Sequence, residues 1–205
     1  MSTQSQINPV LTEFAESDNS IMGVCFDAIR GFDLNLKEID RTQREFLEQS
    51  GTANPSDEDL QLLDSAWIIY SHGSPSDSEK LVYHQGTQRD FKTRNSQGGS
   101  NEVFIGNMTL ISIFEYWEET CRPRLAAILD VHKDQVECDI FGDLRIIRNS
   151  ILHHSGIALD DVNRCKVLKW FKAGDKIMVD RPRLRDLVTR LEGLEIRVVK
   201  RTSPA

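Results

Sequence analysis

The feature that most constrains the fold is a regular spacing of apolar residues between positions 139 and 157. Isoleucine or leucine recurs at intervals of four, three and four residues, at Ile140, Leu144, Ile147 and Ile151. This period is typical of a helix with one side buried in a core. Gly156 follows the apolar run and suits the left-handed conformation that ends many helices. The sequence therefore predicts one amphipathic helix, which we call the motif helix.

A second strip lies on the other side of the predicted motif helix. At roughly 100° per residue, Arg145, Asn149 and His153 share this side, and Arg148 lies between the two sides. Two further residues extend the apolar surface beyond one stripe, Phe141 and Leu152. A helix that is apolar on more than one side usually has more than one neighbour. The candidates for these neighbours are the protein's own core and a second copy of the chain.

The motif helix also contains an arginine and a histidine at a recognisable spacing. Residues 148–153 read Arg-Asn-Ser-Ile-Leu-His: an arginine, a polar residue, three further residues and a histidine. This order resembles the Arg-x4-6-His signature of the HEPN family, in which Asn, Asp or His typically follows the arginine. The resemblance is closest over residues 104–170. It implies an all-α, HEPN-like helical bundle that dimerises through the motif helix. In many members of the family this bundle is a metal-independent endoribonuclease.

The resemblance assigns roles to individual residues. It implies that Arg148, Asn149 and His153 are catalytic, and it makes Arg145 and His154 candidates for RNA contact. Histidine suits proton transfer because its ordinary pKa of about 6.5 is close to neutral pH. Arginine suits phosphate binding because its planar fork reaches two oxygens and keeps its charge, and asparagine can donate a hydrogen bond. His154 also falls beside the apolar stripe, where a structural role is the alternative.

RNA cleavage without a metal uses the 2′-hydroxyl as the nucleophile and leaves a 2′,3′-cyclic phosphate. On an ideal helix, Arg148 and His153 diverge by about 140°, so one copy alone does not present a tight pair. Two copies around a two-fold axis would bring these residues to a shared groove. The alternative roles are a helix-capping cation for His153 and an interior ion pair for Arg148, with Asp143 or another residue.

Three functions are open at this point. The first is a homodimeric endoribonuclease with an RNA substrate, in a toxin–antitoxin, abortive-infection or other defence system that supplies an antitoxin or defence partner. The second is a non-catalytic HEPN module that dimerises and binds RNA, a nucleotide or a protein. The third is a purely structural helical protein. HEPN toxins paired with small nucleotidyltransferase antitoxins carry a modified tyrosine two residues after the motif histidine. Ser155 stands there in this chain, so that mode of neutralisation does not carry over.

The composition narrows the class of protein. The 205 residues carry a net charge of −7, which argues against coating nucleic acid through bulk charge but is compatible with a small basic cleft. Four cysteines stand far apart without metal-ligand spacing, so we expect reduced thiols, no metal site and no cofactor. No apolar run approaches the roughly 20 residues of a membrane span. Because no secretory-signal pattern is visible either, we expect a cytoplasmic protein.

The rest of the chain is predicted as helices joined by polar connections. Six helices are expected outside the motif helix: a short one from Asn8, one capped by residues 17–20 and running towards Gly51, one from Ser56 to about His72, Asn101–Leu129, Asp160–Phe171 and one from Arg181. The third of these is expected to bury Trp67 and Tyr70, and the fourth Phe104 and Met108. We expect a long polar loop near 71–101 and a short extended segment near 176–179. The loop is either solvated or an RNA-contacting flap that uses Arg89, Lys92 and Arg94. All of this is assigned to one domain, 1–205, with frayed ends at about 1–7 and 201–205.

The predicted helix Asn101–Leu129 contains two unusual features. Pro123 lies inside it and should kink or split it, because proline removes one helical hydrogen bond and clashes with the preceding turn. A charge cluster runs from Glu115 to Arg124. Its members either form pairs four residues apart on a solvated face, or place one Glu or Arg beside Arg148.

Overall fold

The computed structural model describes residues 3–73 and 80–199, and this part of the chain is mostly helical, as the all-α prediction requires. The α-helices are α1 (Thr3–Gln49), α2 (Asp57–Leu62), α3 (Gln88–Asn95), α4 (Ser100–Tyr116), α5 (Arg122–Leu129), α6 (Asp139–His153) and α7 (Arg181–Leu191). The strands form two antiparallel pairs, β1 (Trp67–His72) with β2 (Leu81–Thr87), and β3 (Val136–Glu137) with β4 (Arg197–Val198).

The chain forms two compact units. The first comprises Met1–Phe26 and Val103–Ala205, and the second comprises Asp27–Glu102. The assignment of 1–205 to one domain stays a prediction. Within the described residues, no helix is both long enough and apolar enough to cross a membrane.

The motif helix is α6, and it forms the centre of the first unit. Ile140, Leu144 and Ile147 are almost completely buried, as the apolar spacing predicts. The rings of Phe141 and Trp117 stack with their centroids 4.0 Å apart, which adds aromatic packing to the core. The helix ends where predicted: Gly156 has a φ of +76° and its N–H donates to the carbonyl of Ser150.

Pro123 disturbs the long helix without breaking it. A π-helical segment, Trp117–Cys121, joins α4 to α5, and Pro123 follows as the second residue of α5. The wider turn accommodates the proline, so the predicted disruption is confirmed. The expectation that Phe104 and Met108 lie on the buried side is wrong, because both are exposed.

The amino-terminal helix is longer than predicted. We expected a short helix from Asn8, a cap near residues 17–20 and a second helix, and α1 instead runs without interruption from Thr3 to Gln49. The hydroxyl of Ser20 donates to the carbonyl of Glu16 within the helix, so this polar stretch caps nothing. The expected fraying of 1–7 is wrong for residues 3–7, which are helical; residues 1–2 and 201–205 lie outside the described residues.

The second unit departs most from the sequence analysis. The helix predicted to reach about His72 ends at Leu62, passes through a 3-10 turn (Leu63–Ser65) and becomes strand β1. The predicted loop 71–101 is wrong as well, because it contains the end of β1, then β2 and α3; residues 74–79 lie outside the described residues. Thr87 and Asp90 start α3 with a reciprocal capping box.

The cations predicted for an RNA-contacting flap lie on or beside structured elements. Lys92 of α3 forms ion pairs with Asp40 and Asp64, both at 3.1 Å. The Arg94 guanidinium contacts the ring nitrogen of His84. These two cations therefore stabilise the second unit, and the flap is corrected to a hairpin followed by a helix.

The segment after α6 is less regular than predicted. The helix expected over Asp160–Phe171 is reduced to a 3-10 helix at Asp160–Arg164. The extended segment expected near 176–179 consists of one isolated bridge, between Ile157 and Lys176. Beyond that bridge, the N–H of Val179 donates to the side-chain oxygen of Asn107 at 3.1 Å. This backbone N–H is therefore satisfied by a side chain and needs no partner strand.

Helix α7 follows its predicted pattern. Asp180 caps it, Pro182 lies in its first turn, and Leu184 and Leu187 are completely buried. The pairing of β3 with β4 was not predicted, because each strand is only two residues long.

Candidate functional site

Helix α6 presents the predicted polar strip towards solvent. Arg145 and His153 are exposed, and Asn149 is half-buried. Arg148 lies at the edge of the buried face, with a quarter of its side chain exposed. His154 is exposed too, which corrects the expectation that it lies beside the apolar stripe. The strip therefore brings Arg145, Asn149 and His153 onto one open face of a rigid helix.

Arg148 is held by a carboxylate from the neighbouring helix. Its Nε and one terminal nitrogen donate to Oε1 of Glu115, at 3.0 and 2.7 Å, and its other terminal nitrogen donates to Oδ1 of Asn149 at 3.1 Å. The guanidinium carbon lies 5.9 Å from the centre of the Phe114 ring. These three side chains fix the guanidinium while leaving part of it open to solvent.

Asp143 is not the partner of Arg148, so the ion-pair alternative is wrong for Asp143, whereas Glu115 fills the place of the other residue that it allowed. The Asp143 side chain is buried, and its two oxygens accept hydrogen bonds from the backbone N–H groups of Lys166, Val167 and Leu168, at 2.9, 2.6 and 2.8 Å. Asp143 therefore secures the irregular segment that follows the 3-10 helix.

The two histidines at the end of α6 have open imidazole rings. Within residues 3–73 and 80–199, no hydrogen bond or ion pair to either ring is found. The helix is regular up to His153, so the divergence of about 140° from Arg148 is not relieved by unwinding. A reaction that uses both side chains at one phosphate therefore needs a second copy of the helix.

The charge cluster from Glu115 to Arg124 was expected either to form pairs on a solvated face or to place one member beside Arg148. The structure shows some of each. Glu118 and Arg122 form the expected pair four residues apart, at 2.8 Å. Arg124 instead pairs with Glu13 of α1, at 2.7 Å. Glu115 lies beside Arg148, the position that the functional interpretation assigns to one member of the cluster. Sequence reasoning did not identify which member this is, because the contact depends on how α4 packs against α6.

A cleft lies next to the exposed strip, inside the first unit. Its volume is about 290 Å³, and Arg145 and Gly142 of α6 line it. Three more cations stand around it, Arg122, Arg164 and Lys166. Four carboxylates line it as well, those of Glu118, Glu137, Asp139 and Asp143. The sequence does not locate this cleft, because Arg164 ends a 3-10 helix and Lys166 lies in the irregular segment after it.

The cysteines do not provide reactive thiols. All four are free and buried. Burial, followed by the charge of Asp143, raises the pKa of Cys165 to about 12, and burial raises the pKa of Cys121 to about 11. In the described part of the chain, no cluster of three or more His, Cys, Asp or Glu side chains is arranged to hold a metal ion.

Comparison with protein-family models, with curated proteins and with solved structures finds no match to this chain.

Proposed function

We propose that this chain is a metal-independent endoribonuclease that acts on RNA as a homodimer, with the HEPN-like motif of α6 as its catalytic centre. One observation carries the proposal. Arg148 is fixed by Glu115 and Asn149 yet partly open, on the same helix as an exposed histidine that has no partner within the described residues. A positioned cation and a free imidazole are the two groups that this chemistry requires.

The roles follow from the chemistry of transesterification. One His153 imidazole accepts the proton of the 2′-hydroxyl while the 2′-oxygen forms a bond to the adjacent phosphorus. The bond from phosphorus to the 5′-oxygen breaks, and a second imidazole donates a proton to that oxygen. Arg148 stabilises the extra negative charge on the phosphate oxygens, and Asn149 holds the guanidinium in place. The products are a 2′,3′-cyclic phosphate and a 5′-hydroxyl, and no cofactor takes part.

A dimer provides the second imidazole. In this proposal, two α6 helices pack around a two-fold axis, so that His153 of one copy is the base and His153 of the other is the acid. Leu152 and Ile157 flank the histidines and are 46% and 45% exposed, so they offer apolar area for this contact. Arg145 and His154 supply further RNA contacts. We place the activity in the cytoplasm, in a toxin–antitoxin, abortive-infection or other defence system with an antitoxin or defence partner.

A metal-free cleavage assay tests the proposal. We expect the wild-type dimer to cut single-stranded RNA in EDTA and to leave a 2′,3′-cyclic phosphate. Arg148→Ala and His153→Ala should each lower the rate at least a hundredfold with unchanged thermal stability, because each removes a reacting or charge-stabilising group. His72→Ala, which changes an exposed histidine at the end of β1, is the matched control and should cut normally. Cutting by both site variants at the wild-type rate would contradict the site.

A non-catalytic RNA-binding module is the second candidate. Two observations favour it: Glu115 already neutralises Arg148, and the whole chain carries a net charge of −7. In that case, light scattering would show the same dimer and RNA would bind without being cut. The cleavage assay and a binding assay on one preparation separate the two candidates.

A further inference from the structure

The cleft beside Arg145 is lined by charged side chains that the proposed cleavage reaction does not use. It is lined by cations from three parts of the first unit: Arg122 of α5, Arg145 of α6, and Arg164 and Lys166 of the following segment. We propose that this cleft binds the nucleotide next to the cleaved bond of a single-stranded RNA, with Arg145 on its phosphate. The inference rests on the proposed function for the identity of the ligand, and on the cleft itself for the site.

The cleft has room because a glycine forms part of its wall. A Cβ atom added to Gly142 would meet no atom within 4 Å, although this residue lies inside α6 and next to the buried Phe141 and Asp143. Any larger residue there would project into the cleft. The volume of about 290 Å³ lies just below the range for small-molecule sites, so the cleft has room for no more than one nucleotide.

The charges around the cleft leave Arg145 available for an anion. Asp139 accepts hydrogen bonds from both Lys166 and Arg197, and Glu118 pairs with both Arg122 and Lys133, so each carboxylate is shared by two cations. The hydrogen bond from Lys166, ahead of that from Arg197, lowers the pKa of Asp139 and keeps it ionised.

Arg164 pairs with Asp161 at 3.5 Å, and Asp143 accepts hydrogen bonds from three backbone N–H groups. Two lining charges then remain. Among the described residues, no partner is found for the guanidinium of Arg145 or for the carboxylate of Glu137. Arg145 is exposed and long enough to reach a phosphate at the mouth of the cleft, whereas Glu137 would repel one. The lining holds as many carboxylates as cations, so the free guanidinium of Arg145 is what makes the mouth of the cleft favourable to an anion, and Glu137 limits the affinity.

The position of Arg145 connects the cleft to the catalytic strip. Arg145 precedes Asn149 by four residues, so it lies one helical turn away on the same face, roughly 6 Å along the helix axis. An RNA strand that follows the strip would reach the cleft one nucleotide away from Arg148. The cleft would then decide which neighbouring nucleotide is accepted, while Arg148 and His153 act on the bond.

Binding of an RNA that cannot be cut tests the cleft. The probe is a single-stranded 2′-O-methyl oligonucleotide, which has no free 2′-hydroxyl. Gly142→Leu should weaken its binding at least tenfold because the leucine occupies the cleft. Arg145→Gln should weaken it similarly and lower the slope of log affinity against log salt by about one, as expected for one lost phosphate contact. Glu137→Gln should strengthen binding severalfold.

The control is Gly23→Leu, because Gly23 is also a helical glycine with nothing within 4 Å of an added Cβ and it lies outside the cleft. Arg145 is exposed, so its variant tests the site even if Gly142→Leu folds poorly. Wild-type affinity in the Arg145 variant, or no binding by the wild type, would overturn the inference. Wild-type binding without cutting in the cleavage assay would instead overturn the proposed function and leave the cleft standing.

Discussion

Two carboxylates inside the first unit differ in how well their oxygens are hydrogen-bonded. Asp143, on α6, is 2% exposed and receives hydrogen bonds from three consecutive backbone N–H groups. Asp18, on α1, lies in a groove of about 390 Å³ lined by Phe14, Met22 and Leu191, and its buried Oδ1 has no hydrogen-bond partner. The more deeply buried carboxylate is therefore the better satisfied of the two.

The difference shows what makes a buried carboxylate stabilising. A backbone N–H that loses its acceptor inside a protein costs free energy, so Asp143 stabilises the segment 166–168, which has no helix or strand to satisfy it. Asp18 satisfies no such group through Oδ1 and is only desolvated. Burial raises its pKa from 3.8 to about 6, so ionisation of Asp18 is less favourable in the folded protein than in the unfolded chain. Asp143 and Asp18 therefore differ in the number of N–H groups that donate to them, and this number matters more for stability than how deeply each carboxylate is buried.

The largest expected effect comes from removing the first carboxylate. Asp143→Ala should lower the free energy of unfolding by about 3–5 kcal/mol, because it leaves a buried space and three backbone N–H groups without their acceptor, of which that of Leu168 is buried. The measurement is urea unfolding followed by tryptophan fluorescence. A Trp67→Phe background leaves Trp117 and Trp170, both in the first unit, as the only reporters.

Asp161→Ala is the matched control for this prediction. Asp161 is an exposed aspartate whose carboxylate is 3.5 Å from Arg164, and exposed pairs of this kind contribute little. Its variant should change the free energy of unfolding by less than about 0.5 kcal/mol. A loss below about 1 kcal/mol in Asp143→Ala would show that the three N–H groups find other acceptors, and the comparison with Asp18 would fail.

The parts of the fold that the sequence predicts are those with a helical period. The buried stripe of α6, the end at Gly156 and the core face of α7 follow from local spacing alone. The role of Asp143 does not, because its donors lie more than twenty residues away and belong to no regular element. For the ion pair of Arg148 the sequence leaves Asp143 and other residues open, and only the packing of α4 against α6 reveals Glu115.

The hairpin of the second unit shows the opposite kind of error. Trp67 and Tyr70 match a helical spacing with Leu63, which predicts a buried helix face, yet both are exposed on β1. The run of aromatic and β-branched residues from 67 to 70 was the missed signal for a strand. The candidate site is predictable from the sequence only in part. The polar strip on α6 follows from helical spacing, whereas the cleft depends on where residues 164–166 pack against α6.

Replacing Asp18 should raise the stability of the protein, whereas replacing Asp143 should lower it. Because the folded pKa of Asp18 is raised, the protonated carboxyl contributes stability below about pH 4, and this contribution is lost as the pH rises through about 6. Asp18→Asn stays neutral, so the variant should be more stable than the wild type by about 1–2 kcal/mol at pH 7.5. Its advantage should disappear at pH 4. Unfolding by urea at both pH values measures the difference.

The pH dependence separates the charge of Asp18 from its packing in the groove. An equal gain at pH 4 and pH 7.5 would mean that the charge of Asp18 is not the cause, and the asparagine must then improve packing in the groove. A loss of stability at pH 7.5 would mean that Oδ1 has a partner in solution, and Asp18 would join Asp143 as a stabilising carboxylate.

The smallest effect on stability is expected at Asp180. In the number of backbone N–H groups that it accepts, Asp180 lies between Asp143 and Asp18. Its Oδ1 accepts one backbone hydrogen bond, from the N–H of Arg183 at 3.2 Å, and its Oδ2 pairs with the Arg183 guanidinium at 2.7 Å. Asp180→Ala should therefore lower the free energy of unfolding by about 1 kcal/mol, the usual cost of losing a helix cap. Asp180→Ser keeps an acceptor for the N–H and should recover most of this loss, as judged by urea unfolding in the Trp67→Phe background. If serine recovers nothing, the ion pair rather than the backbone hydrogen bond carries the stabilisation, and stability would no longer follow the number of N–H groups that each carboxylate accepts.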